Sequence, residues 1–220
     1  MKLLVLANSI LKEEVQQKFV GLTASIDYVG SVDTFTTVDN ADVYFDFDFN
    51  NEADRLEKLN KLSTKLVFIN AVEHTLTNIK LPFIRMNAWP GFFSRDIFEL
   101  AANDEPQKHA AEKILVDLNI GYRFVPDIPG FISARVVAMI INEAYFTLQE
   151  KVSTKAEIDI AMKLGTNYPY GPFEWSKKIG LGNIYKLLVE LQKTDKRYHI
   201  SKALEEEVLN IKSNGSYFKY

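Results

Sequence analysis

Short apolar runs alternate with amphipathic stretches in the first half of the chain, and long helical patterns fill the second half. Lys2–Ala7 (KLLVLA) is apolar on both faces, as a buried parallel strand requires. Asn8 and Ser9 follow as cap residues for a helix over about Ile10–Phe19. Gly21 and an apolar run at Ile26–Val29 complete a strand–helix–strand unit. Asp42–Phe49 (DVYFDFDF) alternates strictly, with Val43, Phe45, Phe47 and Phe49 on one face and Asp42, Tyr44, Asp46 and Asp48 on the other. The pattern predicts a helix over Glu52–Leu62 and strands over Lys65–Asn70 and Pro82–Met86. Strands separated by helical stretches in this way imply a parallel sheet with crossover helices.

From Gly130 to Gln149 apolar residues cover almost the whole surface of a predicted helix, which is therefore buried in a bundle or against a partner chain. Pro129 and Gly130 are expected to start it. Ser153 or Thr154 caps a second helix with Glu157 in its first turn. Gly165 is expected to end that helix before a Gly/Pro loop reaching Pro172, and helices follow near Phe173–Ile179, Asn183–Thr194 and Ser201–Ile211. The texture changes near Pro126–Pro129. Two domains are expected, an α/β domain over 1–125 closed by a strand around Ile120–Val125, and an all-α domain over 126–220.

Composition narrows the chemistry. The 26 Lys+Arg against 29 Asp+Glu give a net charge of -3, so no nucleic-acid footprint is present. The chain has no cysteine, which excludes disulfides, Cys–zinc sites and a thiol nucleophile. No segment reaches the roughly 18 apolar residues of a membrane span, and Leu3–Ala7 is too short for a signal-peptide core. The chain reads as a cytoplasmic protein without membrane or nucleic-acid partners. Its three histidines, His74, His109 and His199, form no pair with metal-ligand spacing, so no metal site is expected. Each reads as a surface or structural residue. Asp46 and Asp48 read as solvated residues where a strand leaves the core rather than as a cation site.

Three blocks in the second half resemble the C-terminal domain of the 3-hydroxyacyl-CoA dehydrogenase family, which includes 3-hydroxybutyryl-CoA dehydrogenases. DIPGFISAR (Asp127–Arg135) is similar to the family's D-x-P-G-F-[IV]-x-N-R. IDIAMKLGTNYPYGPFE (Ile158–Glu174) is close to I-D-x-A-M-x-x-G-x-x-x-P-x-G-P-F-E. YFKY (Tyr217–Tyr220) resembles the usual G-F-Y-x-Y terminus. Most of these residues set turns and packing. In the first half, Ala41–Asp46 resembles the A-D-L-V-I-E strand, Lys65–Asn70 the strand entering the S-N-T-S loop, and Leu81–Leu100 the region around H-F-F-N-P and L-V-E. The fold implied is a shortened Rossmann-like parallel sheet domain followed by a helical C-terminal domain of that family. The helical excursion after the second strand is the part missing.

The resemblance implies NAD-dependent oxidation of 3-hydroxyacyl-CoA in fatty-acid metabolism and a homodimer formed through the helical domain. It also says where the chemistry should sit. The diphosphate of NAD needs a glycine-rich turn at a helix N-terminus, but no glycine precedes Gly21. Asn8, Ser9 and Lys12 are the residues left to hold an anion there, and Asn70 is the polar residue kept from the loop near the nicotinamide. The family's base, a histidine, falls at Met86 or Asn87, and neither accepts a proton at neutral pH. Its glutamate partner matches Glu99, the one candidate catalytic residue kept, while the assisting asparagine is Ala134. Trp89 and Arg135 are candidates for the substrate cleft. The residues thus favour a catalytically degraded relative that retains acyl-CoA or nucleotide binding over a normal dehydrogenase. A dimeric interaction module is the further alternative.

Overall fold

The computed structural model describes residues 1–213, and the Tyr217–Tyr220 block lies outside them. The chain divides into two compact units, Met1–Phe131 and a helical unit beginning at Ile132. In the first, β1 (Lys2–Leu6), β2 (Ser25–Val29), β3 (Val43–Asp46), β4 (Val67–Asn70), β5 (Ile84–Met86), β6 (Ile97–Ala101) and β7 (Gly121–Phe124) form one sheet in the order β2-β1-β3-β4-β5-β6-β7. Every pair is parallel except β5–β6. The connecting helices are α1 (Ser9–Lys18), α2 (Val32–Thr37), α3 (Ala53–Leu59), α4 (Leu76–Ile79) and α5 (Glu105–Asp117).

Period-2 side-chain geometry sends alternate strand residues to opposite faces. Leu3 and Val5 of β1 join Val43, Phe45 and Phe68 under Leu11 and Val15 of α1, Phe19 just past it, and Ala111 and Leu115 of α5. Leu4 and Leu6 join Tyr44, Val67 and Ile69 with Phe35 of α2 and Leu59 of α3 on the other face. Each fully buried Leu, Val or Phe contributes about 1.5–3 kcal/mol relative to exposure, so both layers are needed to hold the sheet.

The alternation at Asp42–Phe49 overstated the polar face. β3 is shorter and buried along its whole length, because β1 and β4 flank it and helices cover both sides. Tyr44 satisfies its hydroxyl by donating to Val38 O at 2.7 Å. Asp46, expected in solvent, has no exposed surface and pairs with Arg55 of α3. α2 is held by a Ser31 cap whose Oγ accepts from Thr34 N at 3.2 Å. Its Thr-rich sequence gave no helical pattern in advance. α5 likewise starts on an Asp104 cap that accepts from Gln107 N at 2.8 Å.

The helical unit contains α6 (Ser133–Gln149), α7 (Lys155–Thr166), α8 (Pro172–Ile179), α9 (Leu181–Gln192) and α10 (Lys202–Ser213). α6 starts later than expected. Gly130 and Phe131 take φ of 82° and 50°, so they form a left-handed turn ahead of the helix rather than its first residues. Gly130 N–H donates instead to Val72 O at 2.8 Å within the first unit. Gly165 does not end α7 either: the helix runs one residue further, and Asn167 takes the left-handed C-terminal position at φ 55°. Thr154 is the cap, in a reciprocal box with Glu157.

The Ile158–Glu174 block is a helix junction. Asp159 of α7 is buried and accepts from Phe173 N at 2.8 Å, satisfying a first-turn N–H of α8. A Cβ on Gly171 would lie 2.3 Å from Asp159 Oδ1, so only glycine fits there. Glu174 accepts from Gly171 N at 2.9 Å and from Lys163 Nζ at 2.6 Å, and these contacts hold its carboxyl below the ordinary range. Asn142 of α6 donates to His199 O and accepts from Ser201 N, tying α6 to the start of α10. No helix among the described residues is long and apolar enough to cross a membrane.

Candidate functional site

The polar centre of the first unit lies where β4 and β5 end. β5 and β6 run antiparallel, which brings Asn87, just past β5, opposite Glu99. Asn87 N–H donates to Glu99 O at 3.0 Å, and Asn87 Nδ2 donates to Glu99 Oε2 at 2.9 Å. Of the two positions offered for the base, Asn87 is the one beside the carboxylate. Met86 is buried in the apolar core. Asn87 is itself only 3% exposed.

Asn70 closes β4 and braces this turn. Its Oδ1 accepts from Ala88 N at 3.0 Å and its Nδ2 donates to Phe47 O at 3.4 Å. Glu14 of α1 receives Gly91 N–H on both carboxylate oxygens, at 3.1 and 2.8 Å. Trp89 is buried and meets Phe92 at 6.0 Å between ring centroids. Arg95 lies 4.0 Å over the Phe92 ring. Burial pushes its guanidinium below the ordinary value, and the charge of Glu99 opposes that shift. Arg135 belongs to the helical unit, 5.6 Å over the Tyr198 ring.

The turn after β1 is built from side chains. Asn8 Oδ1 accepts from Leu11 N at 3.0 Å and so caps α1, while Asn8 Nδ2 donates to Asp48 Oδ1 at 3.1 Å. Ser9 is exposed in the first turn, and Lys12 lies 5.9 Å over the Tyr28 ring. Asp48 N–H donates to Asp46 Oδ1 at 3.0 Å, and both Asp46 oxygens accept from Arg55 Nη2 at 2.7 Å. Burial pushes the Asp46 carboxyl up to about 6, outweighing the opposing Arg55 charge. Asp46 is therefore a buried structural acceptor and not a solvated residue, while Asp48 is half-buried and accepts from Asn8. Among the described residues no group of three or more His, Asp or Glu side chains is placed to hold a metal ion.

None of the three histidines stands at position 86 or 87. His109 is exposed on α5 with Nδ1 against Glu105 O at 2.8 Å, His199 lies 5.9 Å from the Phe146 ring, and His74 is half-buried before α4. Sequence reasoning missed one buried centre. Arg85 of β5 is fully buried, donates to Ala71 O at 2.8 Å and Val72 O at 3.2 Å, and pairs with Asp127. Asp127 also accepts from Leu76 N at 2.8 Å. An arginine inside an apolar strand was the available signal, since such a charge needs a partner.

Residues 130–218 match the family model for the 3-hydroxyacyl-CoA dehydrogenase C-terminal domain. Over these residues the helical unit is similar to the C-terminal domain of that family. Curated relatives agree. The chain is 44% identical over 87 residues to 3-hydroxyadipyl-CoA dehydrogenase of Escherichia coli strain K12, covering 39% of this chain and 18% of that protein. It is 30% identical over 141 residues to 3-hydroxybutyryl-CoA dehydrogenase of Bradyrhizobium diazoefficiens, covering 61% of this chain and 48% of that protein. The matches thus span less than half of each of these relatives. The crystal structure of (S)-3-hydroxybutyryl-CoA dehydrogenase from Ralstonia eutropha superposes with a TM-score of 0.73 at 20% identity, over 95% of this chain and 93% of that one, and shows the shared fold. The chain therefore resembles the 3-hydroxyacyl-CoA dehydrogenases in sequence over its helical unit and in fold over both units, the first of which is Rossmann-like.

Proposed function

We propose that this 3-hydroxyacyl-CoA dehydrogenase-like chain keeps the family scaffold without its hydride-transfer chemistry, and acts in fatty-acid metabolism as a dimeric acyl-CoA-binding protein. The observation that carries the reading is the Asn87–Glu99 hydrogen bond of 2.9 Å. The position facing the carboxylate holds an amide, whose nitrogen lone pair is delocalised into the carbonyl and takes no proton at neutral pH. General-base catalysis supplies about 10²–10⁴ in rate, and an amide supplies none of it. Glu99 orients a donor here instead of charging a base.

The acyl-CoA class comes from the substrates in the relatives' names, 3-hydroxyadipyl-CoA and 3-hydroxybutyryl-CoA. Support for the homodimer comes from apolar side chains left in solvent on the helical unit. Ile132 and Val136 lie one turn apart at the start of α6, and Ile160 and Leu164 one turn apart on α7.

The test is a titration of the purified protein with acetoacetyl-CoA by calorimetry, followed by addition of NADH with nicotinamide absorbance recorded. Saturable acetoacetyl-CoA binding without loss of absorbance is expected. Turnover at the ~1–10³ s⁻¹ of ordinary enzymes would overturn the reading. No binding heat would leave only the assembly role.

A further inference from the structure

We infer that the ligand crevice of the sheet is closed by the chain's own side chains, so that a nicotinamide dinucleotide does not fit it with its diphosphate on α1. In open α/β sheets the ligand sits outside the carboxyl ends of the strands, at the point where strand order reverses. Here that point lies between β1 and β3, since β1 connects forward to β2 on one side and has β3 on the other. Three groups would have to leave for a diphosphate to enter.

The first is Asn8. A diphosphate binds through the free N–H groups of a helix's first turn, and Leu11 N–H is already taken by Asn8 Oδ1 at 3.0 Å. The second is Asp48, whose carboxylate accepts from Asn8 Nδ2 at 3.1 Å and sets a negative charge beside the helix end that should attract an anion. It is anchored from behind, through its own N–H to Asp46 and from Asp46 to Arg55. The third is Phe47, 1% exposed, which continues the β3 pairing through its N–H to Leu6 O and packs edge-on to Phe93 at 5.1 Å.

The ribose end does not fit either. β2 ends at Val29-Gly30 without an acid, and Asp27 within the strand is paired to Lys2 at 3.0 Å. Arg55, Asp46, Asp48 and Asn8 thus form a continuous polar clamp from α3 to the N-terminus of α1. This inference rests on different atoms from the amide at position 87.

The experiment pairs an NADH fluorescence titration of the wild-type chain with thermal unfolding of Asp48→Ala. No saturable change is expected with NADH up to about 1 mM, and the variant is expected to unfold about 2–4 °C lower. Saturable NADH binding to the wild type below about 100 μM would overturn the inference. If binding came without acetoacetyl-CoA turnover, it would do so while leaving the proposed function standing. An Asp48→Ala melting temperature equal to wild type would overturn the clamp.

Discussion

Single ionisable side chains of the first unit are buried in the sheet, and their energetics are open to direct test. Arg85 is fully buried with Asp127 as its carboxylate partner. Removing one member of such a pair leaves an uncompensated charge, at a cost of about 3–5 kcal/mol. Asp127→Ala should therefore lower the urea-unfolding free energy by that amount, and a loss under about 1 kcal/mol would show that the pair does not anchor the segment after β7. Asp46 poses the opposite case. Its carboxyl is raised from 3.8 to about 6, chiefly by burial. Between those values the folded chain holds a proton that the unfolded chain has released. The stabilisation linked to this group is complete below pH ~4 and is lost as pH rises through about 6. Asp46→Asn removes that dependence, so the wild type should lose roughly 1–3 kcal/mol relative to the variant between pH 4 and 7. Parallel stability curves would rule this out.

At the scale of elements, the parallel strands, α1 and the helices of the second unit were legible because buried strands read as continuous apolar runs and caps as Ser, Thr or Asn before a helical pattern. KLLVLA and the Thr154–Glu157 box are examples. What stayed hidden depended on contacts that only the tertiary packing makes. Nothing near Asp46 announces Arg55, and the alternation of DVYFDFDF read as a half-exposed strand because the flanking strands that bury it come from elsewhere. The α7–α8 junction was visible as a motif, but its cause is spatial: Gly171 is required by the Asp159 side chain. Gly171→Ala forces a contact far shorter than real Cβ contacts and should destabilise by about 1–3 kcal/mol. Asp159→Ala, which frees a first-turn N–H of α8, should cost about 1 kcal/mol. The double variant should cost less than the sum, because the clash vanishes with Asp159. Strict additivity in denaturant unfolding would mean that the two residues do not meet.

At the scale of the whole molecule, the sequence pointed to the helical unit far more sharply than to the chemistry of the first. The family's turns and junctions were kept there in order, whereas the site was marked by what its residues lack. Which of Met86 and Asn87 faces Glu99 is visible only in the antiparallel β5–β6 pairing. The proposed homodimer is likewise a property no single element reveals. Ile132 and Val136 are 51% and 52% exposed, Ile160 is 53% and Leu164 is 83%, an arrangement that a lone globule gains nothing by keeping in water. Burial against a second copy would contribute roughly 25 cal/mol per Å² of apolar surface removed from water, less the cost of association. The wild type should therefore sediment as a dimer at micromolar concentration. Leu164→Glu places a charge at the most exposed of these positions and should shift the distribution toward monomer without changing the thermal unfolding of a dilute sample. A wild-type chain sedimenting as a monomer at micromolar concentration would refute the dimer. A Leu164→Glu chain that stays fully dimeric would move the interface off α7.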